Sequence, residues 1–414
     1  MAYSSSTFPL LSKPLIEEEV IDVAAPLRLE IKTKLGGGAE IFKNFTFRLL
    51  NSLLVNEKNF VFCPLTTLTS TACLIAASEG QTRYELTTAL FDIDLQSNDE
   101  EYALIKLIRK CFKSAVHDKE GWMKAPSFLY VSERYPPLKK FKALANKYFG
   151  VSVIKTEFDQ KAVIAMNERI RKESDDCIDA VIKQVGDGIN MLLIDTTFFC
   201  GLWKYGFYQI KPSIFTNFND TRSEIDFLQG FGKFRMGFNE KFQCHVIELP
   251  YNSEDTRMII LLPQQGFQVF VDTTANFVNQ ELMDLISASN LRHKHVEIWL
   301  PKFRSEFVIS LKTFFRNFGI QNIFDSVHAN FSRIVNDAEN QKSHYGLFLG
   351  DIIAKTVFEV SENGFRISAP DDLVDSITEN TMDMFRCNRP FMFFVVTDVG
   401  GKDMIVFHGV VKLL

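Results

Sequence analysis

From residue 39 onward the apolar positions fall at helical spacing. In AEIFKNFTFRLLNSLL, Ile41, Phe45, Leu49 and Leu53 stand four apart and predict an amphipathic helix. Pro64 opens a second, largely apolar helical stretch through Ala77, proline being favoured in a first turn. Residues 81–91, 99–115, 136–148 and 160–174 also carry the helical pattern. Two stretches break it. SFLYVS (127–132) reads as a strand, and NMLLIDTTFFCGLW (190–203) is a run of strand formers that predicts a strand buried on both faces. Strands dominate from 223 to 263, ending in HVIELPY and MIILLP. Helices near 271–288 and 308–318 flank a predicted strand at 294–300, and strands at 351–362, 390–397 and 404–413 close the chain. No internal repeat or low-complexity tract interrupts this order. Helices cluster early and strands late, so the class is α+β.

Composition adds a large core. The chain has 414 residues, 46% hydrophobic and 23% charged, enough to bury one large unit or two to three smaller ones. Phenylalanine, with 40 residues against 10 Tyr and 3 Trp, reads as core filling. A net charge of −5 argues against the broad basic surface of a nucleic-acid binder. The seven cysteines are scattered and odd in number, without CxxC spacing, which argues against a disulfide framework or a structural zinc site and fits a reducing compartment better. The first residues lack a basic start, Lys13 and Pro14 break the apolar run, and Glu17, Glu18 and Glu19 follow, so a secretion signal is not read and a cytoplasmic location is expected. Sequons at Asn44, Asn219 and Asn330 keep release by another route open. No run reaches the roughly 18–20 apolar residues of a membrane helix, so no membrane partner is expected. Residues 1–38 read as a flexible extension; their Gly36-Gly37-Gly38 has no following Lys-Ser or Lys-Thr and is no phosphate loop.

Several stretches, in order, resemble the serpin family. NFVFCPLTTLTSTACLIAASEGQTRYELTTALF (59–91) is similar to its opening helix pair, and LLIDTTFFCGLW (192–203) to its L-V-N-x-x-x-F-x-G-x-W. HVIELPY, MIILLP, WLPKF (299–303), LKTFFRNFGIQNIF (311–324), FEVSENG (358–364) and NRPFMFFV (388–395) follow the same pattern. The resemblance spans about residues 40–414. It implies a single domain at 39–414 with three β-sheets, about nine helices and an exposed reactive-centre loop at about 364–386, in a monomer that is no enzyme and needs no cofactor. In inhibitory members of that family a protease cleaves the loop and forms an acyl-enzyme. The loop then inserts as a new strand, and the metastable fold releases stored free energy.

The resemblance places the loop's hinge at Glu362, Gly364, Phe365, Arg366, Ile367, Pro370 and Asp371. An inserted strand alternates its faces, which turns Phe365, Ile367, Ala369, Asp371 and Leu373 inward. Phe365 then stands where the family has a small residue, an overpacking of ~1–3 kcal/mol. Asp371 becomes a core-facing carboxylate at a cost of several kcal/mol, and Pro370 removes a ladder donor. Counting from Gly364 puts the scissile bond after Thr378, and counting back from Pro390 puts it after Glu379; both stand. The loop from 371 to 383 holds five acids and no Lys or Arg, so a trypsin-like pocket would reject it. Where the family's shutter has two Ser, an Asn and a His, this chain has Cys63, Thr66, Asp195 and Ala354, and a buried Asp195 needs other donors. Arg169 replaces a frequent Trp, and Asp176-Cys177 a frequent Gly-Lys. The expectation is a serpin without efficient suicide inhibition, acting as a binding or interaction protein. The alternative is an active inhibitor of an elastase-like, chymotrypsin-like or cysteine protease.

Other chemistry is sparse. Ile105, Ile108 and Phe112 form one face of a helix and Lys106, Arg109, Lys110 and Lys113 the other, a candidate polyanion site where some serpins bind heparin-like chains. His293-Lys294-His295 lacks a third ligand and reads as a turn or strand end, and no metal is expected. Cys200 and His245 show no ordered third partner and read as packing.

Overall fold

The computed structural model describes residues 42–54, 58–116, 123–186, 188–253, 255–274, 279–286, 291–335, 346–362 and 382–414. The extension 1–38 and the loop residues Gly364, Phe365, Arg366, Ile367, Pro370, Asp371, Thr378 and Glu379 lie outside them.

Nine α-helices occur among the described residues. They are α1 (Lys43–Leu54), α2 (Pro64–Ala77), α3 (Gly80–Phe91), α4 (Asn98–Val116), α5 (Lys139–Phe149), α6 (Gln160–Glu173), α7 (Phe267–Thr274), α8 (Asn279–Ile286) and α9 (Lys312–Asn317). In α1 the predicted stripe is the buried one: Phe45, Leu49 and Leu53 face inward, with Phe45 packed edge-on against Phe314 at 5.7 Å. All 14 residues of α2 are buried, so its hydroxyls depend on partners inside the protein, which all but Thr71 find. Thr69 donates to the Leu65 carbonyl and Ser70 to that of Thr67, while Thr66 and Thr67 turn toward the sheet.

The strands are β1 (Phe60–Phe62), β2 (Met123–Lys124), β3 (Ser127–Ser132), β4 (Val151–Thr156), β5 (Met191–Phe199), β6 (Gln209–Thr216), β7 (Arg222–Asn239), β8 (Cys244–Pro250), β9 (Thr256–Pro263), β10 (Arg292–Pro301), β11 (Phe303–Ser310), β12 (Asp351–Val360), β13 (Asp383–Arg386), β14 (Phe391–Asp398) and β15 (Asp403–Val411). One six-stranded sheet runs β11-β12-β5-β3-β4, with β2 beside β5. The other nine strands run β1-β15-β14-β9-β8-β7-β10-β13, with β6 beside β7. Three sheets were expected; β7 joins two of them. Its 18 residues pair with β6 and β10 through one half and with β8 from Arg235 onward.

Two elements correct the sequence reading. Residues 308–310 end strand β11 rather than begin a helix, because β11 pairs with β12 from Phe303↔Val360 to Ser310↔Ile353. Residues 383–386 belong to a strand, not the loop, because Val296↔Asp383 through Trp299↔Arg386 form a parallel ladder with β10. The helical pattern at 271–288 is carried by two helices, α7 and α8.

The abundant phenylalanine has a place. Phe199, Phe303 and Phe358 on the six-stranded sheet interleave with Phe391, Phe393 and Phe407 on the other, with Phe358–Phe393 and Phe199–Phe407 ring centres both 4.9 Å apart. The opposite face of the six-stranded sheet is covered by α6. There Val163, Met166 and Ile170 pack on Phe128, Ile194 and Val357.

Candidate functional site: the seam between β5 and β12

β5 and β12 are neighbours in parallel, from Asp351↔Leu192 to Phe358↔Phe199. Between these two strands a cleaved serpin loop would have to enter. β5 is buried at all nine positions, as its run of strand formers predicted, with Asp195, Thr196 and Thr197 buried among the apolar residues. Its residues alternate: Leu192, Ile194 and Phe198 meet α6, while Leu193, Asp195 and Phe199 face α2 and the main core.

Asp195 is 2% exposed, and the structure supplies the donors that the sequence left open. Thr67 Oγ1 donates to Oδ2 at 2.7 Å, Thr66 Oγ1 to the same oxygen at 3.0 Å, and Ser127 Oγ to Oδ1 at 2.6 Å. Burial pushes the carboxyl above its ordinary range, and the three hydroxyls pull it back. Ser127 reaches it because β3 pairs with β5 in the register Ser127↔Asp195. Asp195 therefore fastens β5 to α2 and β3. Across the seam its neighbour is Ala354, whose side chain offers no hydrogen bond. Thr66 also lies 2.9 Å from the Thr197 hydroxyl, and burial raises the Cys63 thiol to about 12. The four shutter positions are thus brought together around a carboxylate. Thr67 and Ser127 were missed by sequence reasoning, and only the sheet register could have found Ser127.

Besides the backbone ladder, an aromatic pair spans the seam: Phe199 and Phe358 stack with centres 4.8 Å apart and planes 5° from parallel. Above them Trp203 Nε1 donates to the Ser361 carbonyl at 2.9 Å and stacks on Tyr251 at 4.5 Å. Gly201 is required below that pair, since a Cβ there would stand 2.5 Å from the Tyr251 ring. Glu362, the one hinge residue among those described, pairs with Lys302 at 2.8 Å. The Lys302 ammonium holds the Glu362 carboxyl below its usual range, and Lys302 is raised in turn.

On α4, Lys106, Lys110 and Lys113 are exposed. Arg109 is not their equal: it is half-buried, with its guanidinium over the Tyr148 ring at 5.1 Å. The four do not form one free cationic stripe, because α5 packs against that edge of the helix. His293, Lys294 and His295 alternate along β10, and no group of three or more potential metal ligands occurs among the described residues. Cys200 faces the Ser361 hydroxyl at 3.5 Å, while His245 lies edge-on to Phe238, so the two do not act together.

The serpin (serine protease inhibitor) family model matches residues 40–412. The chain belongs to the serpin family. Among curated relatives, the human "Protein Z-dependent protease inhibitor" is 24% identical over 372 residues, covering 88% of this chain and 80% of that protein. "Iripin-4" of Ixodes ricinus is 28% identical over 388 residues, covering 89% of this serpin and 93% of its relative. Native protease nexin-1, solved with heparin, superposes with a TM-score of 0.76 at 21% identity, covering 93% of this chain and all of that one. The serpin fold and class follow from these matches, as the residue motifs implied.

Proposed function

We propose that this serpin acts as a binding or interaction protein whose reactive loop is cut as a substrate, without efficient suicide inhibition. The observation that carries this reading is the Asp195 anchor. Drawing β5 off Thr66, Thr67 and Ser127 would leave buried polar groups unpaired at ~1–3 kcal/mol each, so β5 is held in place and the seam can part only by moving β12 and β11, which removes one of the two ways of opening it. The loop sequence adds cost in the same direction through Phe365, Pro370 and Asp371. Slow parting of the seam lets water release the protease from its acyl bond before insertion is complete. The test is loop cleavage followed by thermal unfolding. A melting temperature unchanged by cleavage is expected. A large rise, or a covalent complex with an elastase-like protease that survives denaturing electrophoresis, overturns the proposal.

The second reading, an active inhibitor, is favoured by relatives such as the human Protein Z-dependent protease inhibitor. Under it the acidic stretch from Asp371 to Asp383 directs the choice to elastase-like, chymotrypsin-like or cysteine proteases and away from trypsin-like ones. For either reading we propose a polyanion contact through Lys106, Lys110 and Lys113, supported by their exposure and by the heparin in the protease nexin-1 structure. Retention on a heparin column that collapses with salt, and weakens in Lys106→Ala/Lys110→Ala/Lys113→Ala, is expected; retention unaffected by the triple substitution refutes it.

A further inference from the structure

The connector that follows α6 crosses the seam as a strap on the outer face of the sheet. On the β5 side, Lys124 of β2 pairs with Asp175. On the β12 side, Arg304 of β11 donates to the Cys177 carbonyl at 2.9 Å, and Lys355 of β12 reaches the Ala180 carbonyl at 3.4 Å. The strap is an ordered turn. Asp175 and Asp176 take left-handed conformations (φ 49° and 59°), the Asp176 amide donates to the Arg171 carbonyl at 2.9 Å, and buried Ser174 accepts from the Ile178 amide.

Seven free cysteines exist; five are buried, and only Cys177 and Cys200 are partly open to solvent. These two belong to the same corner. Cys177 sits on the strap, Cys200 immediately follows β5, and both pack on the layer that holds Phe198 and Val357. Arg304, stacked over Phe198 at 5.8 Å, serves both. The Cys200 thiol is raised by burial and, further, by Glu359 and Cys177. Cys177 Sγ lies 3.6 Å from the Asp175 carbonyl and Cys200 Sγ 3.5 Å from the Ser361 hydroxyl, on either side of Arg304 and the Phe198 layer.

We propose that Cys177 and Cys200 form a thiol–disulfide exchange site for low-molecular-weight disulfides of the glutathione type, and that closing it staples the strap to the end of β5. The Cys177 thiolate attacks glutathione disulfide; one sulfur–sulfur bond forms, one breaks, and one glutathione thiolate leaves and takes up a proton. Cys200 then loses its proton and displaces the second glutathione. Two protein thiols are oxidised and one disulfide is reduced to two glutathione molecules, so the exchange needs no other oxidant. The bond requires Cα atoms within about 7 Å, so its formation itself reports the position of the strap. The site is independent of whether the reactive loop inserts.

The test uses the full folded chain and glutathione disulfide, with acid quench, alkylation and peptide mass mapping. A peptide pair linked through Cys177 and Cys200 is expected, the other five thiols remaining alkylatable only after unfolding. Amide hydrogen exchange in β5 and β12 should slow roughly tenfold in the linked form and recover on reduction. Cys200→Ser should leave one glutathione on Cys177, Cys177→Ser should leave Cys200 unmodified, and neither variant should show the slowing. The proposal is overturned by absence of the linked pair, by linkage without slower exchange, or by equal modification of the buried cysteines.

Discussion

His408 offers the sharpest test of the core. It lies on β15 opposite Phe62 and Phe394, fully buried, with the Phe60 and Phe62 rings 6.0 and 5.9 Å away. Neither ring nitrogen has a hydrogen-bond partner. Burial alone lowers its pKa from 6.5 to about 3. The unfolded chain therefore binds a proton below pH 6.5 that the folded chain refuses until about pH 3, and stability falls as pH drops through that window. At 1.36 kcal/mol per pH unit, the loss at pH 5 is ~2 kcal/mol relative to neutral pH. His408→Leu keeps an apolar side chain of similar size between the two rings and removes two unpaired polar atoms, each class of group costing ~1–3 kcal/mol when buried alone. Urea unfolding at pH 7.5 and 5.0 reads both effects. The variant should be more stable by about 1 kcal/mol at pH 7.5, and its margin over the wild type should widen by ~2 kcal/mol at pH 5.0. Equal losses in the two proteins between these pH values would show that the imidazole is not excluded from protons, and would refute the reasoning.

The remaining predictions concern the seam. Asp195→Asn should stabilise the protein at neutral pH by about 1 kcal/mol, since a hydroxyl can turn to accept from the amide and no buried charge remains; a lower urea midpoint refutes this. Asp195 is raised by burial, so its penalty grows as pH rises past its ordinary range, opposite in sign to His408, and Asp195→Asn should flatten that slope. Phe358→Ala should cost ~3–5 kcal/mol in urea unfolding, as it empties the stack with Phe199; a loss under about 1 kcal/mol contradicts the packing described. Gly201→Ala should cost ~1–3 kcal/mol and change Trp203 fluorescence by displacing Tyr251; unchanged emission would contradict the 2.5 Å approach.

The elements read correctly from sequence are those whose own side chains state their environment. The four-residue spacing in α1 and the apolar run of β5 needed no partner to be recognised. β11 failed because Val308, Leu311, Phe315 and Phe318 also fit a helical stripe, and Leu311 is in fact buried at the start of α9. β13 has a single buried side chain, Phe385, and exists through its ladder with β10 rather than through a pattern of its own. The shutter was legible in part. The sequence located Asp195 and its need for donors, but Ser127 is 68 residues away and becomes a neighbour only through the antiparallel register of β3. Arg109 sits at helical spacing with three exposed lysines, yet a contact from another helix, Tyr148 on α5, removes it from the free face.

The two strands of the seam are held by different means, and this decides how it can part. β5 is fixed from below by the hydroxyls on Asp195, whereas β12 is fixed from above, its Lys355 being buried and paired with Glu306 at 3.1 Å. Separating them while β5 stays in place spares every Asp195 bond; it breaks the β5–β12 ladder, which either route must break, and the Phe199–Phe358 stack, worth ~0.5–1.5 kcal/mol beyond lost area. Displacing β5 instead strips donors from a carboxylate at 2% exposure. The cheaper route thus moves β12 together with β11, to which it is laddered over eight residue pairs. That route meets the strap, because Arg304 and Lys355 travel with β11 and β12 while Asp175 stays tied to Lys124 on the β5 side. Release of the strap therefore has to precede opening of the seam, and whatever fastens the strap sets the rate.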